Sequence, residues 1–196
     1  MKKKVIIIGG IILFFVLIGL YCYSKDNMRF KFSYELVNRL ELSNGKKIKV
    51  KIPLDNRVKY IKEDKLIELL ENGTGIVYMG YDTCPWCRNA VPILIDSVRD
   101  NDVKKLYYVD IHGVKLSKVR NKLVEEAGEY LREDDEGNKV ISVPAVFVVK
   151  KGEILAYHIG TVEGYKNPYK SMTSKQKKQL KKIYDDMIKE LKSWKN

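Results

Sequence analysis

The sequence is poor in the residues that build metal sites. It has three cysteines and two histidines in 196 residues. A structural zinc centre needs four close ligands, commonly two Cys-x-x-Cys pairs or one such pair with two histidines. Here there is a single pair, Cys84 and Cys87. His112 and His158 lie far apart in sequence, and Cys22 sits in the apolar N-terminal run. A zinc-ribbon reading is therefore disfavoured, and no metal or cofactor is expected. Internal repeats and low-complexity tracts are also lacking. Acidic residues are too few to balance the basic ones, and the formal charge is +12. From Lys166 onward there are ten lysines against Asp185, Asp186 and Glu190. Such charge suits nucleic acid or an anionic surface. No nucleic-acid motif accompanies it, so a solvated helix face is expected and no nucleic-acid partner.

What the chain does have is Cys84-Pro85-Trp86-Cys87. An apolar stretch, residues 76–81, precedes it and reads as a buried strand. Another, residues 90–95, follows and reads as a helix. The motif thus falls at a strand-to-helix junction, with Cys84 at or near a helix N-terminus. Unpaired N–H groups and the helix dipole favour an anion there, so Cys84 is expected to have a lowered pKa. Pro85 suits the first helical turn, where its missing N–H is no loss. Cys87 lies one turn further on, close enough to form a disulfide with Cys84. One thiol that attacks and one that resolves the mixed disulfide constitute the chemistry of thiol–disulfide exchange. A purely structural disulfide is the competing reading. A bridge across two residues closes a very small loop, and its entropic benefit is slight.

The N-terminus carries the other strong signal. Lys2, Lys3 and Lys4 are followed by Val5 through Tyr23 without a charged side chain. That length matches the ~30 Å hydrocarbon core of a bilayer. The lysines mark the cytoplasmic end, and Tyr21 and Tyr23 stand where interfacial aromatics are expected. A cleaved signal peptide competes, but Cys22-Tyr23-Ser24 is a poor cleavage site, and Tyr21 argues against lipidation of Cys22. The expectation is a single-pass membrane anchor with the N-terminus cytoplasmic and the remaining chain outside, where disulfides form and persist.

Residues 25–56 read as a linker followed by a β-hairpin extension. Met28, Phe30, Phe32 and Tyr34 suggest strand character, Ser43-Asn44-Gly45-Lys46 is a turn signal, and Ile48, Val50, Ile52 and Leu54 alternate with polar residues. The remaining segment reads as strand 58–61, helix 64–72, the motif strand and helix, strand 106–109, helix 116–131, a polar turn at 134–138, strand 145–149, a turn at 150–153, strand 154–159 and a final helix. Thr173 and Gln176 suggest a capping box before that helix. Its apolar stripe is Leu180, Ile183, Tyr184, Met187, Ile188 and Leu191. The expected domains are an anchor (1–24), the extension (25–56) and an α/β domain (57–196) with a central mixed sheet flanked by helices.

Three features together resemble thioredoxin-fold thiol–disulfide oxidoreductases: Cys-x-x-Cys at a strand-to-helix turn, Pro92 inside the following helix, and Val143-Pro144 before the run 145–149. The resemblance covers roughly residues 57–165. More loosely, the whole chain is similar to membrane-anchored thioredoxin-like proteins of Gram-positive bacteria, including bacteriocin-transport accessory proteins. The resemblance implies a thioredoxin-like fold with Cys84 attacking and Cys87 resolving. It implies a cis peptide before Pro144, which would lie against the cysteine pair, hold a substrate strand and keep metal-capturing side chains away. Pro85, Trp86, Val143 and Pro144 are then the expected substrate contacts. The partners would be thiols and disulfides of exported proteins or peptides, and a membrane redox partner. The alternative is an accessory binding subunit of an export system with dispensable cysteines. The chain also departs from the pattern. The segment between Cys87 and Pro144 is long, and Pro85-Trp86 replaces Gly-Pro. The strand before the motif contains no acid, although Asp82 and Asp110 lie near it. The motif resembles glutaredoxin too, but no Gly-Gly glutathione signature follows Pro144. His112 and His158 are expected at the surface or in packing, and Tyr81 and Tyr108 in the core.

Overall fold

The computed structural model describes residues 25–40, 48–112, 117–128 and 131–193, together with positions 11, 13–15 and 17, which are helical. Among the described residues no helix is long and apolar enough to cross a membrane. Most of the expected anchor, residues 5–23, and the expected turn at 43–46 lie outside them.

Alternating apolar residues organise the centre of the molecule. Strands β1 (Val58–Tyr60), β2 (Gly75–Gly80), β3 (Leu106–Asp110), β6 (Ala145–Lys150) and β7 (Glu153–Ile159) form a sheet in the order β1-β3-β2-β6-β7. The β1/β3 and β3/β2 pairs are parallel, whereas β6 runs antiparallel to both β2 and β7. Because successive strand residues face opposite ways, Ile76, Tyr78, Val146 and Val148 enter one core and Val77, Met79, Phe147 and Val149 the other. The first core is closed by α3 (Pro85–Asp100) and α5 (Ser174–Ser193), the second by α2 (Glu63–Asn72) and α4 (Ser117–Ala127). The strands β4 (Arg132–Glu133) and β5 (Lys139–Val140) make a small separate hairpin around the polar turn.

Local chemistry sets the ends of these elements. Thr173 and Gln176 form the expected capping box: Thr173 N–H donates to Gln176 Oε1 at 2.9 Å, and Gln176 N–H to Thr173 Oγ1 at 3.3 Å. Leu180, Tyr184, Met187 and Ile188 of the predicted stripe are buried. Gly152, at the β6–β7 turn, has φ +85° and a Cβ there would lie 2.1 Å from the Glu71 carbonyl oxygen. Helix α4 ends earlier than its apolar pattern suggested. Val119 and Leu123 are buried, but Val124 is exposed, and Leu131 reaches the core from beyond the helix.

The β-hairpin extension is corrected by the structure. Residues 26–36 form a helix, α1 (Asp26–Leu36), followed by a 3₁₀ turn, Val37–Arg39. Phe30 and Tyr34, spaced i and i+4, share one helix face and are fully buried, whereas Phe32 is exposed. The alternation read as a strand came from taking Phe32 with them. Residues 48–52 are not a strand either. Their backbone groups bond to side chains of the extension instead. Val50 N–H donates to Asn38 Oδ1 and Val50 C=O accepts from Asn38 Nδ2. Ile52 N–H donates to Glu35 Oε1 and Ile52 C=O accepts from Lys31 Nζ. The extension packs on the domain: Phe30 meets Tyr108 edge to face at 4.9 Å, and Arg29 lies over the Tyr60 ring.

Candidate active site

Strand β2 leads through Tyr81, Asp82 and Thr83 to Cys84, whose extended backbone makes it the N-cap of α3. Pro85 occupies the first turn, as expected. The Cys87 N–H points back at the Cys84 sulfur, 3.2 Å away. Both cysteines are free thiols and both are buried. Their environments push them in opposite directions. The Cys84 thiol is held below its ordinary pKa by a hydrogen bond from Cys87, against the cost of burial, and further by the N–H groups of Cys87 and Trp86 and by Tyr81. Cys87 is pushed well above its ordinary value by burial and by the neighbouring Cys84 sulfur; Tyr78 opposes this rise. The pair is therefore unequal: ionisation is favoured on Cys84 and disfavoured on Cys87.

A groove of about 310 Å³ opens beside the motif, lined by Trp86, Ser142, Val143, Thr161, Glu163 and Tyr165 among others. Trp86 is half-buried and meets Tyr165 edge to face at 5.5 Å. The structure thus brings Trp86 and Val143 together. Pro85 and Pro144 are not among the groove's lining residues. Pro144 is buried at the entrance to β6, the Val143–Pro144 peptide is cis as expected, and the Pro144 carbonyl accepts the Gly160 N–H at 2.7 Å. A wider groove of about 920 Å³ lies on another side of the motif loop, bordered by Phe32, Leu36, Leu40, Tyr60, Thr83 and Asp110.

Sequence reasoning misplaced one residue here and missed two. Tyr81 was expected in the core. It is only half-buried, stacks on His112 at 3.9 Å, and its hydroxyl lowers the Cys84 pKa. Tyr108 is a core residue, as expected. His158 packs beside Tyr184, with Nε2 at 2.9 Å from the Thr161 carbonyl oxygen. Asp82 is half-buried, and burial and then Asp110 raise its pKa. Arg88 and Tyr78 were not anticipated. Arg88 follows Cys87 directly and is 1% exposed. Its guanidinium donates to the carbonyls of Tyr34, Ile48 and Asp82 and to Asn38 Oδ1. It ties the N-terminal extension to the motif loop and to the helix that carries both cysteines. Nothing in the local pattern distinguishes this arginine from an exposed one. Tyr78 had a signal: counting back from the motif in steps of two places it on the same strand face as Gly80, towards α3.

The mixed sheet order, the helices on both faces and the Cys84–Cys87 pair at the head of α3 define a thioredoxin-like fold with a Cys-x-x-Cys site. No protein-family model and no curated protein matches the chain. Among solved structures, thioredoxin from Aeropyrum pernix is similar, with 23% identity and a TM-score of 0.37, covering 54% of this chain and 77% of that one. The class rests on this chain's own strand order and cysteine geometry. Among the described residues, no group of three or more His, Cys, Asp or Glu is placed to hold a metal.

Proposed function

We propose that the protein is a thiol–disulfide oxidoreductase in which Cys84 attacks and Cys87 resolves. The observation that carries this reading is the opposed tuning of the two thiols, one favoured as thiolate at a helix N-terminus and one held as thiol a turn inside it. In the reducing direction the Cys84 thiolate attacks one sulfur of a substrate disulfide. A Cys84–substrate disulfide forms and the first substrate thiolate leaves. Cys87 then attacks Cys84 Sγ, forming the Cys84–Cys87 disulfide and releasing the second substrate sulfur. The proton from Cys87 ends on a departing substrate thiolate, so two electrons pass from the cysteine pair to the substrate. The oxidising direction is the reverse. Trp86 and Val143 offer an apolar wall beside the cysteines, suited to a peptide segment of the substrate. The reading is tested with a model disulfide peptide and a thiol donor. The parent protein is expected to accelerate exchange, and a Cys84→Ser/Cys87→Ser double variant to be inert in that assay and in the cell. A double variant that keeps its biological activity would favour an accessory binding subunit of an export system.

We further propose that residues 5–23 anchor the protein in the cell membrane with the catalytic domain outside, acting on exported proteins or peptides and recharged by a membrane redox partner. The support is the uncharged run behind three lysines. Full-length protein is expected to remain with membranes through a high-salt wash and to expose its C-terminal domain to external protease. Recovery of a soluble form beginning near Lys25 would overturn the anchor.

A further inference from the structure

A buried pair of tyrosines stands behind the resolving cysteine. The Tyr34 and Tyr78 hydroxyls lie 2.9 Å apart, and both side chains are essentially without solvent exposure. Tyr78 comes from the centre of the sheet and Tyr34 from the extension helix α1, so residues far apart in the chain meet at this point. The Tyr78 hydroxyl lies close to the Cys87 sulfur. A Cβ placed on Gly80 would lie 2.3 Å from Tyr78 Oη and 3.1 Å from Cys87 Sγ, so both atoms border the space that only glycine leaves open. Two hydroxyls carry two hydrogens. One is used between them, and the other needs an acceptor in a dry interior. The sulfur of Cys87 borders the same space and becomes a strong acceptor when it ionises.

Resting on the exchange reading above, we propose that Tyr78 is a catalytic residue for the resolving step, donating a hydrogen bond to the Cys87 thiolate as it forms, and that Tyr34 is the positioning residue that donates to Tyr78 in turn. Burial pushes both phenols well above their ordinary range, so they stay neutral and act as donors rather than bases. The other titratable groups that sense Cys87 are Cys84 and the phenols of Tyr81, Tyr108 and Tyr184. A hydrogen bond to the thiolate lowers the Cys87 pKa, in the direction opposite to burial. Resolution becomes faster at neutral pH because more of Cys87 is thiolate. The role also gives the extension helix a function in the chemistry.

The test uses the full-length reduced protein in a Cys22→Ser background, which leaves Cys84 and Cys87 as its only thiols. Mixed with a chromogenic aromatic disulfide, dithiobis-nitrobenzoate, it should release the coloured thiolate in two phases. The first reports attack by Cys84 and the second resolution by Cys87. Tyr78→Phe keeps the ring and removes the hydroxyl. It is expected to leave the first phase unchanged, slow the second about tenfold near neutrality, and raise the pH midpoint of the second phase by about one unit, the equivalent of one lost hydrogen bond to a charged group. Tyr34→Phe should shift the midpoint in the same direction by less. A second phase that superimposes on the parent in rate and midpoint in Tyr78→Phe would overturn the assignment. Should that variant fail to fold, as read by circular dichroism, an unshifted midpoint in Tyr34→Phe would overturn it equally. Loss of the first phase in the parent would instead refute the exchange reading itself.

Discussion

Replacing Cys87 by serine is expected to produce a protein that attacks disulfides and cannot release them. The Cys84 thiolate remains at the helix entrance, stabilised by the backbone N–H groups of residues 86 and 87. The serine hydroxyl can still donate to the Cys84 sulfur in place of the thiol, and attack on a substrate disulfide proceeds. Without the second sulfur the mixed disulfide persists. Non-reducing electrophoresis of whole extracts from cells carrying Cys87→Ser should show adducts that collapse with reductant, and the same experiment with Cys84→Ser should show none. Turnover of a model disulfide should fall to the uncatalysed rate in both variants. The pH dependence follows from the direction of the Cys84 shift. Attack requires the thiolate, so its rate rises with pH through the Cys84 pKa and levels off below the ~8.5 of an ordinary thiol. The depressed pKa also stabilises the reduced folded state, in full above the ordinary thiol value, a contribution lost as pH falls from there through the folded-state value. Cys87 acts with the opposite sign. Its raised pKa lets the unfolded chain ionise first, so its contribution is lost as pH rises above the ordinary thiol value.

Arg88→Met is expected to be the most damaging single substitution outside the cysteines. The side chain is 1% exposed, and its guanidinium serves three backbone carbonyls and the Asn38 amide oxygen. Methionine fills much of the volume but takes the guanidinium donors away from the three carbonyls and leaves Asn38 Oδ1 with the Val50 N–H alone. Each costs about 1–3 kcal/mol when stranded, and with partial relaxation the total loss should be about 4 kcal/mol. In a chain of this size that lowers Tm by about 10 °C. Arg88→Lys should rescue little, because one ammonium cannot span acceptors from the extension helix, residue 48 and the motif loop together. Urea denaturation of the three proteins decides the matter. A loss under 1 kcal/mol in Arg88→Met would mean that the guanidinium does not hold the extension to the domain.

Much of this architecture was legible because the signals were periodic and local. The strands around Val77 and Phe147 are continuous apolar runs bounded by turn residues, and the final helix has both a stripe and a capping box. The Cys-x-x-Cys pair fell at a strand-to-helix junction, and that placement alone implied opposed thiols. What was not legible depended on contacts between distant segments. Phe30 and Tyr34 fit a helix face as well as a strand face, and the choice was made by a pocket between Tyr60, Tyr78 and Tyr108 that forms only on folding. Val50 and Ile52 alternate like a strand, yet side chains of Asn38 and Glu35 take the place of a ladder partner. Arg88 looks like any helical arginine until three separate segments converge on it. Tyr81 reads as the end of a buried strand, but the chain turns there and brings its hydroxyl to Cys84.

The central claim is that Cys84 and Cys87 are unequal thiols with fixed roles. It is tested most directly by alkylating the reduced full-length protein with iodoacetamide across a pH series and reading the label on each cysteine by peptide mass. Cys84 is expected to label first, with a midpoint below that of an ordinary thiol, and Cys87 only at much higher pH. Labelling of Cys87 ahead of Cys84 at neutral pH would contradict the account.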